Sequence, residues 1–180
     1  MDDDVRIQEL RAMGARIGRN VFLGADVYIE RDFAPLLTIE DGVVLARGVT
    51  LLLHDSALNN VAGEPLKFGR VVLRENCYVG VNSTVLCGVE IGPRALLGAC
   101  SLVTSDIPGD MVAYGQPARV QGPVKDSIEA HRLARSTDSR FFYLDLAPWR
   151  ERRDEPVHGR INAFIRQALG AAAADPDHRG

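Results

Sequence analysis

Residues 73–108 read LRENCYVGVNSTVLCGVEIGPRALLGACSLVTSDIP. Cut into sixes, every unit opens on an aliphatic residue: Leu73, Val79, Val85, Ile91, Leu97 and Val103. Four places later comes a small or modest one: Cys77, Ser83, Val89, Ala95, Ser101 and Ile107. The same step runs upstream through IGRNVF, LGADVY and IERDFA from Ile17, and through IEDGVV and LARGVT from Ile39. Between those two sets PLLT inserts four residues, after which the phase resumes. Neither a helical period nor plain strand alternation gives a strict step of six with two inward positions. A coil of short flat strands and tight corners does. The first position points at the coil axis, and the fifth lies beside it, where space is limited. Gly, Asn and Asp at the corners tolerate the left-handed backbone angles that such turns need. The expectation is a mainly β chain wound as a parallel β-helix, each coil burying its face on the next. A β-sandwich with evenly spaced strands is the competing fold, and it does not explain a phase that survives an insertion.

Working outward, Val5–Met13 (VRIQELRAM) predicts a short amphipathic helix closed by Gly14, placed to cover the open first coil. The expected organisation is a capping helix over 1–16, the β-helix over 17–122 with a loop at about 52–68, a helical extension over 123–170 and a disordered tail over 171–180. Within the extension, PVKDSIEAHRLARS (123–136) predicts a helix with Pro123 in its first turn. VHGRINAFIRQALG predicts another, with Val157, Ile161, Phe164, Ile165, Ala168 and Leu169 on one face. The stretch between them is irregular, aromatic, and holds the single Trp149.

Composition excludes several functions. The 180 residues carry a net charge of −3, which is no polyanion-binding signature, so no nucleic-acid partner is expected. The start MDDDVRIQEL lacks the cationic and apolar pattern of a signal peptide. No apolar run reaches the roughly 20 residues that span a bilayer, so a cytoplasmic protein with no membrane partner is expected. Cys77, Cys87 and Cys100 are odd in number and sit in no metal-ligand spacing, so reduced, packed thiols are expected and no metal.

The repeat fails again at LLHDSALNNVAGEPLKF, from about Leu52 to Phe68. Loops on a rigid scaffold are where function concentrates. His54, the only histidine in the first 130 residues, stands at the exit from the coil. Its position admits two roles: a general base held in one tautomer by a partner on its other nitrogen, or a residue that caps the loop by hydrogen bonding. Asp55 follows on an extended segment and points to the opposite side, so it is expected to organise the loop and not to orient His54.

These features together resemble the hexapeptide-repeat acyltransferases, in particular their sugar O-acetyltransferase branch. The resemblance rests on the phased hexapeptides, the looped-out HD, and the segments VTSDIP and GQPARV, and it covers roughly residues 5–122. It implies a left-handed β-helix, a homotrimer with active sites between subunits, acetyl-CoA as acyl donor, and a sugar-type acceptor. It assigns His54 the removal of a proton from the acceptor hydroxyl. It places Val81 (in YVGVNS) and Ala99 (in LLGACS) along the pantetheine groove, recognised through backbone. Arg119, in GQPARV, matches a basic residue near the adenosine end, as suits a guanidinium. Ser105 stands where the family usually has a lysine near the nucleotide phosphates, so one expected contact is missing. Tyr78 matches an aromatic position beside the acyl-transfer site, and Asp32 corresponds to an acidic residue that contacts the acceptor in some relatives. The residues after about Gly122 have no counterpart in the pattern, and packing, a lid or a docking surface are all open for them.

Two other functions compete with O-acetyl transfer, and a third is rejected. N-acetylation of a nucleotide-linked amino sugar would use the same fold and base. A γ-class carbonic anhydrase shares the fold but needs three zinc-binding histidines per site, and the repeat region offers His54 alone. A non-catalytic β-helical scaffold would bind partners through the extension.

Overall fold

The structure is a computed structural model that describes residues 3–138, 140–141, 143–144 and 164–167. Contacts divide the chain into two units, 1–127 and 128–180. The first unit is a coil with three faces visited in turn. Face one stacks Arg16–Ile17, Leu37–Ile39, Val71–Leu73 and Glu90–Ile91 in parallel. Face two stacks Phe22–Leu23, Val44–Leu45, Tyr78–Val79, Leu96–Leu97 and Met111–Gly115 in parallel. Face three stacks Tyr28–Ile29, Thr50–Leu51, Thr84–Val85 and Leu102–Val103 in parallel. The parallel β-helix expected from the six-residue step is what the chain forms.

Register explains why the step is strict. Ile17, Ile39, Leu73 and Ile91 pair successively on face one, and Ile107 bridges to Ile91. Leu23, Leu45, Val79, Leu97 and Ala113 pair on face two, and Ile29, Leu51, Val85 and Val103 on face three. From Leu73 to Ile107 both the first-position aliphatics and the fifth-position residues are buried. Each buried Leu, Ile or Val contributes about 1.5–3 kcal/mol of transfer free energy. A one-residue slip would turn the whole aliphatic set outward, so the register is strongly specified. Of the fifth-position residues, Ser83 and Ser101 are buried and polar. Both hydroxyls donate to the Gly98 carbonyl, at 3.1 and 2.7 Å, so neither is orphaned.

The corners take left-handed angles at Asn20, Asp26, Gly42, Gly48, Asn76, Asn82 and Asp110, as their residue types suggest. Arg94 and Cys100 adopt them too, without that chemistry. Carbonyls one coil away hold these corners: Cys100 N–H donates to Val81 O at 2.8 Å, and Arg94 N–H to Glu75 O at 2.9 Å.

The open first coil is closed by helix Asp3–Ala12, which begins two residues before the expected Val5. Ile7 and Leu10 are buried on it. Its Arg6 guanidinium donates to the carbonyls of Gly24 and Val27 at 3.1 and 2.7 Å, and Arg11 to those of Ile17 and Gly18 at 2.8 and 2.7 Å. Two arginines thus satisfy backbone acceptors that a neighbouring coil would otherwise take. At the other end, Ala118–Pro123 pairs antiparallel with Met111–Gly115. Pro123 therefore closes this strand and does not open the following helix, which spans Val124–Thr137. In the second unit His131 meets Tyr143 edge-on at 5.2 Å. Phe164 and Ile165 lie within a helical stretch of residues 164–167, whereas Trp149, Val157, Ile161, Ala168, Leu169 and the tail 171–180 fall outside the described residues. No helix among the described residues is long and apolar enough to cross a membrane.

Candidate functional site

Both breaks in the repeat fall at one corner, the passage from face three to face one. In the first coil, PLLT is absorbed by a 3-10 turn over Arg31–Leu36 that leads into Leu37–Ile39. In the second, the chain leaves after Leu53 and returns at Val71. The departure is two residues later than Leu52, because Leu52 N–H still bonds the Val85 carbonyl at 3.0 Å and Leu53 is fully buried. The excursion is ordered: His54–Asp55 pairs antiparallel with Lys67–Phe68, and helix Ala57–Ala62 lies between, closed by Gly63 at φ 71°. Asp55 accepts the Ala57 N–H at 2.9 Å, so it organises the loop.

Stacking the two breaks brings four side chains together. Ile29 pairs with Leu51, so Glu30 sits under the strand that carries the chain out to His54. Glu30 Oε2 accepts the amide N–H groups of Leu53 and His54 at 2.5 and 3.1 Å. Its Oε1 lies 2.8 Å from His54 Nδ1, with the Glu30 side chain 10% exposed and His54 27%. The ring N–H direction is off the line to Oε1, so this is a charge–dipole contact and not a linear hydrogen bond. Nδ1 is closed to solvent, and the exposure belongs to the rest of the ring, which includes Nε2. Phe33, from the 3-10 turn, tilts against the imidazole at 4.8 Å between centroids. Phe68 lies within 28° of parallel to it at 6.0 Å, and meets Phe33 edge-on at 5.1 Å. A carboxylate beside one nitrogen, two phenyl rings clustered together against the imidazole and a partly exposed ring form an arrangement suited to proton abstraction.

Glu30, Phe33 and Phe68 were not among the residues singled out from the sequence. Glu30 and Phe33 lie in IERDFA, an in-phase hexapeptide that marks neither of them, and Phe68 stands at the end of the expected loop.

The remaining expected site residues divide between sides of the coil. Asp32, exposed, shares the His54 corner one coil below, and Ser105, exposed, shares it two coils above. Val81 and Ala99 are exposed at the next corner, between faces two and three, one coil apart. Tyr78 is 42% exposed on the outside of face two. Arg119 is exposed on the strand that ends that sheet, and its Nη1 bonds the Ala118 carbonyl at 2.9 Å. In a three-faced coil the His54 corner is opposite face two. A single chain therefore groups His54 with Asp32, but it does not bring Tyr78, Val81, Ala99 or Arg119 to them.

The cysteines are all unbridged. Cys77 and Cys87 are buried as expected, whereas Cys100 is exposed at its left-handed corner. Burial, above all, pushes the Cys77 thiol up to about 12, so it stays protonated and is no nucleophile near neutrality. A concavity of about 660 Å³ opens beside face one between Arg11, Arg16, Thr38 and Glu75, and it contains none of the site residues. Among the described residues no group of three or more His, Cys, Asp or Glu side chains is placed to hold a metal.

Residues 14–52 and 71–105 match the family model described as hexapeptide repeat of succinyl-transferase. The gap between the two matches is the His54 excursion. A galactoside O-acetyltransferase of Lactococcus lactis subsp. lactis (strain IL1403) is 33% identical over 119 residues, 61% of this chain and 56% of that protein. A dTDP-3-amino-3,6-dideoxy-α-D-galactopyranose 3-N-acetyltransferase of Aneurinibacillus thermoaerophilus is 45% identical over 60 residues, 33% of this chain and 31% of that one. The chain thus spans about half, or less, of the length of these relatives. The crystal structure of a hexapeptide-repeat containing acetyltransferase from Vibrio cholerae superposes with a TM-score of 0.56 at 21% identity, covering 70% of this chain and 83% of that one, a likeness of fold.

Proposed function

We propose that this chain, a hexapeptide-repeat protein by its coil, is an acyltransferase that moves the acetyl group of acetyl-CoA onto a hydroxyl of a sugar or glycosylated small molecule, with His54 as general base. The observation that carries the reading is the imidazole on the coil edge whose Nδ1 is backed by the Glu30 carboxylate at 2.8 Å. Glu30 keeps the proton on Nδ1, which leaves the Nε2 lone pair for the acceptor. His54 Nε2 takes the hydroxyl proton as the acceptor oxygen bonds to the thioester carbonyl carbon. It returns that proton to the sulfur as the C–S bond breaks. A thioester is already activated, so no covalent enzyme intermediate is needed. A base in this position typically contributes 10²–10⁴-fold.

On this reading Val81 and Ala99 border the pantetheine through backbone, and Ser105 and Arg119 lie toward the nucleotide. Tyr78 and Asp32 line the acceptor side. The set is complete only if a second copy lays its face two near the His54 corner of the first. That requirement supports a homotrimer of left-handed coils with shared sites. Unbridged cysteines and the donor fit the cytoplasm.

A specific observation favours a second reading, N-acetylation of a nucleotide-linked amino sugar: the Aneurinibacillus relative is 45% identical where it aligns. Purified protein with acetyl-CoA and a panel of methyl hexopyranosides and amino-sugar nucleotides separates the two, with thiol release and product mass as readouts. The His54→Ala variant is expected to lose at least 10²-fold in turnover while keeping its assembly state. Unchanged turnover in that variant overturns the assignment.

A further inference from the structure

We infer that Phe68 is the stacking platform for the acceptor, a specificity-determining residue of the transferase site on whose reading this inference rests. Phe68 pairs directly with His54 across the two-stranded hairpin, so the backbone fixes the distance between the two rings. Their planes are 28° apart with centroids at 6.0 Å, and Phe68 is 49% exposed. Phe33 is partly buried against the coil core and holds Phe68 edge-on at 5.1 Å, so the orientation exists before anything binds. With Nδ1 closed off by Glu30, a hydroxyl reaches this imidazole only at its open edge. A carbon framework bearing that hydroxyl would lie within reach of the exposed Phe68 ring, whose centroid is 6.0 Å from that of the imidazole. The negative face of an aromatic ring attracts polarised C–H groups, so the acceptor chemistry that fits is a ring with an apolar C–H face next to the reacting hydroxyl, as a pyranose has. Leu58, Val61 and Leu66 are also exposed on the same excursion.

The test takes the best acceptor from the methyl hexopyranoside and amino-sugar nucleotide panel. It compares wild type with Phe68→Ala, Phe68→Leu and Phe68→Trp. Losing the ring is expected to raise the acceptor KM about tenfold in the Ala and Leu variants, leaving the acetyl-CoA KM within about twofold. Phe68→Trp is expected at or below the wild-type acceptor KM. Leu keeps apolar bulk in the hairpin, so its result stands even if the Ala variant fails to fold. An acceptor KM for Phe68→Leu within twofold of wild type overturns the inference. So does an acetyl-CoA KM that rises in step with it, which would make Phe68 a prop for the loop. Wild-type turnover combined with either result leaves the transferase reading standing; wild-type protein that transfers no acetyl group to any member of the panel overturns both.

Discussion

Glu30 has two jobs at His54, and the two can be separated. One oxygen holds the amides of Leu53 and His54, and the other faces Nδ1. Glu30→Gln keeps size and a carbonyl acceptor for the amides but removes the charge that favours a proton on Nδ1. Acetyl transfer is expected to fall by as much as about 10⁴-fold, the loss when a histidine base is left without the carboxylate that fixes its tautomer, with the melting temperature nearly unchanged. Glu30→Ala abandons the buried amides as well, and a clear drop in melting temperature is expected by calorimetry. His54 was legible from the residues because a strict repeat breaks around it. Glu30 and Phe33 were not, because IERDFA is itself an in-phase hexapeptide. Their role depends on which residues of one coil lie under which of the next, and the insertion hides that register from a linear reading.

Among the elements, the corners carry the strictest local demands. Gly48 has φ 70° and lies under the side chain of Asn82, one coil on; a methyl group there would run into Asn82 Oδ1. Gly48→Ala therefore combines left-handed strain, about 1–2 kcal/mol, with a clash against a residue that itself holds a corner. It should lower the denaturant midpoint without changing the slope, and an unchanged midpoint would count against this account. Composition announced the Gly, Asn and Asp corners. It did not announce Arg94 and Cys100, whose left-handed angles are imposed by the backbone ladder of the coils beside them, where tertiary context overrides local preference. Likewise the hairpin inside the excursion, His54–Asp55 with Lys67–Phe68, is too short to be announced by periodicity.

At the scale of the whole molecule, charges tie successive coils along an outer edge. Arg74 reaches Glu40 in the coil below and Glu90 in the coil above, both at 2.8 Å. The Arg74 hydrogen bonds hold the Glu90 carboxyl below its usual 4.5, and the Arg19 backbone N–H, chiefly, lowers Asp41. A carboxyl lowered in the folded state stabilises the fold above its unfolded value and loses that contribution as pH falls through the folded one. Thermal stability should therefore drop as acidification passes below the usual carboxylate range, and Arg74→Gln should flatten that drop; an identical pH slope in calorimetry would contradict it. On the proposed reading, sedimentation at neutral pH is expected to show an oligomer of the 19.6 kDa chain, a trimer as the resemblance implies, since one chain leaves His54 and face two on opposite sides. A monomer would remove the support for shared sites. By itself the sequence determined the winding, the inward columns and the exposed exit of the one repeat-domain histidine, because a six-residue step leaves a single way to bury its aliphatic residues. Only the tertiary structure decided that two unrelated interruptions share one corner and so assemble carboxylate, imidazole and two phenyl rings, because contacts between coils join residues more than 20 positions apart that no local pattern relates.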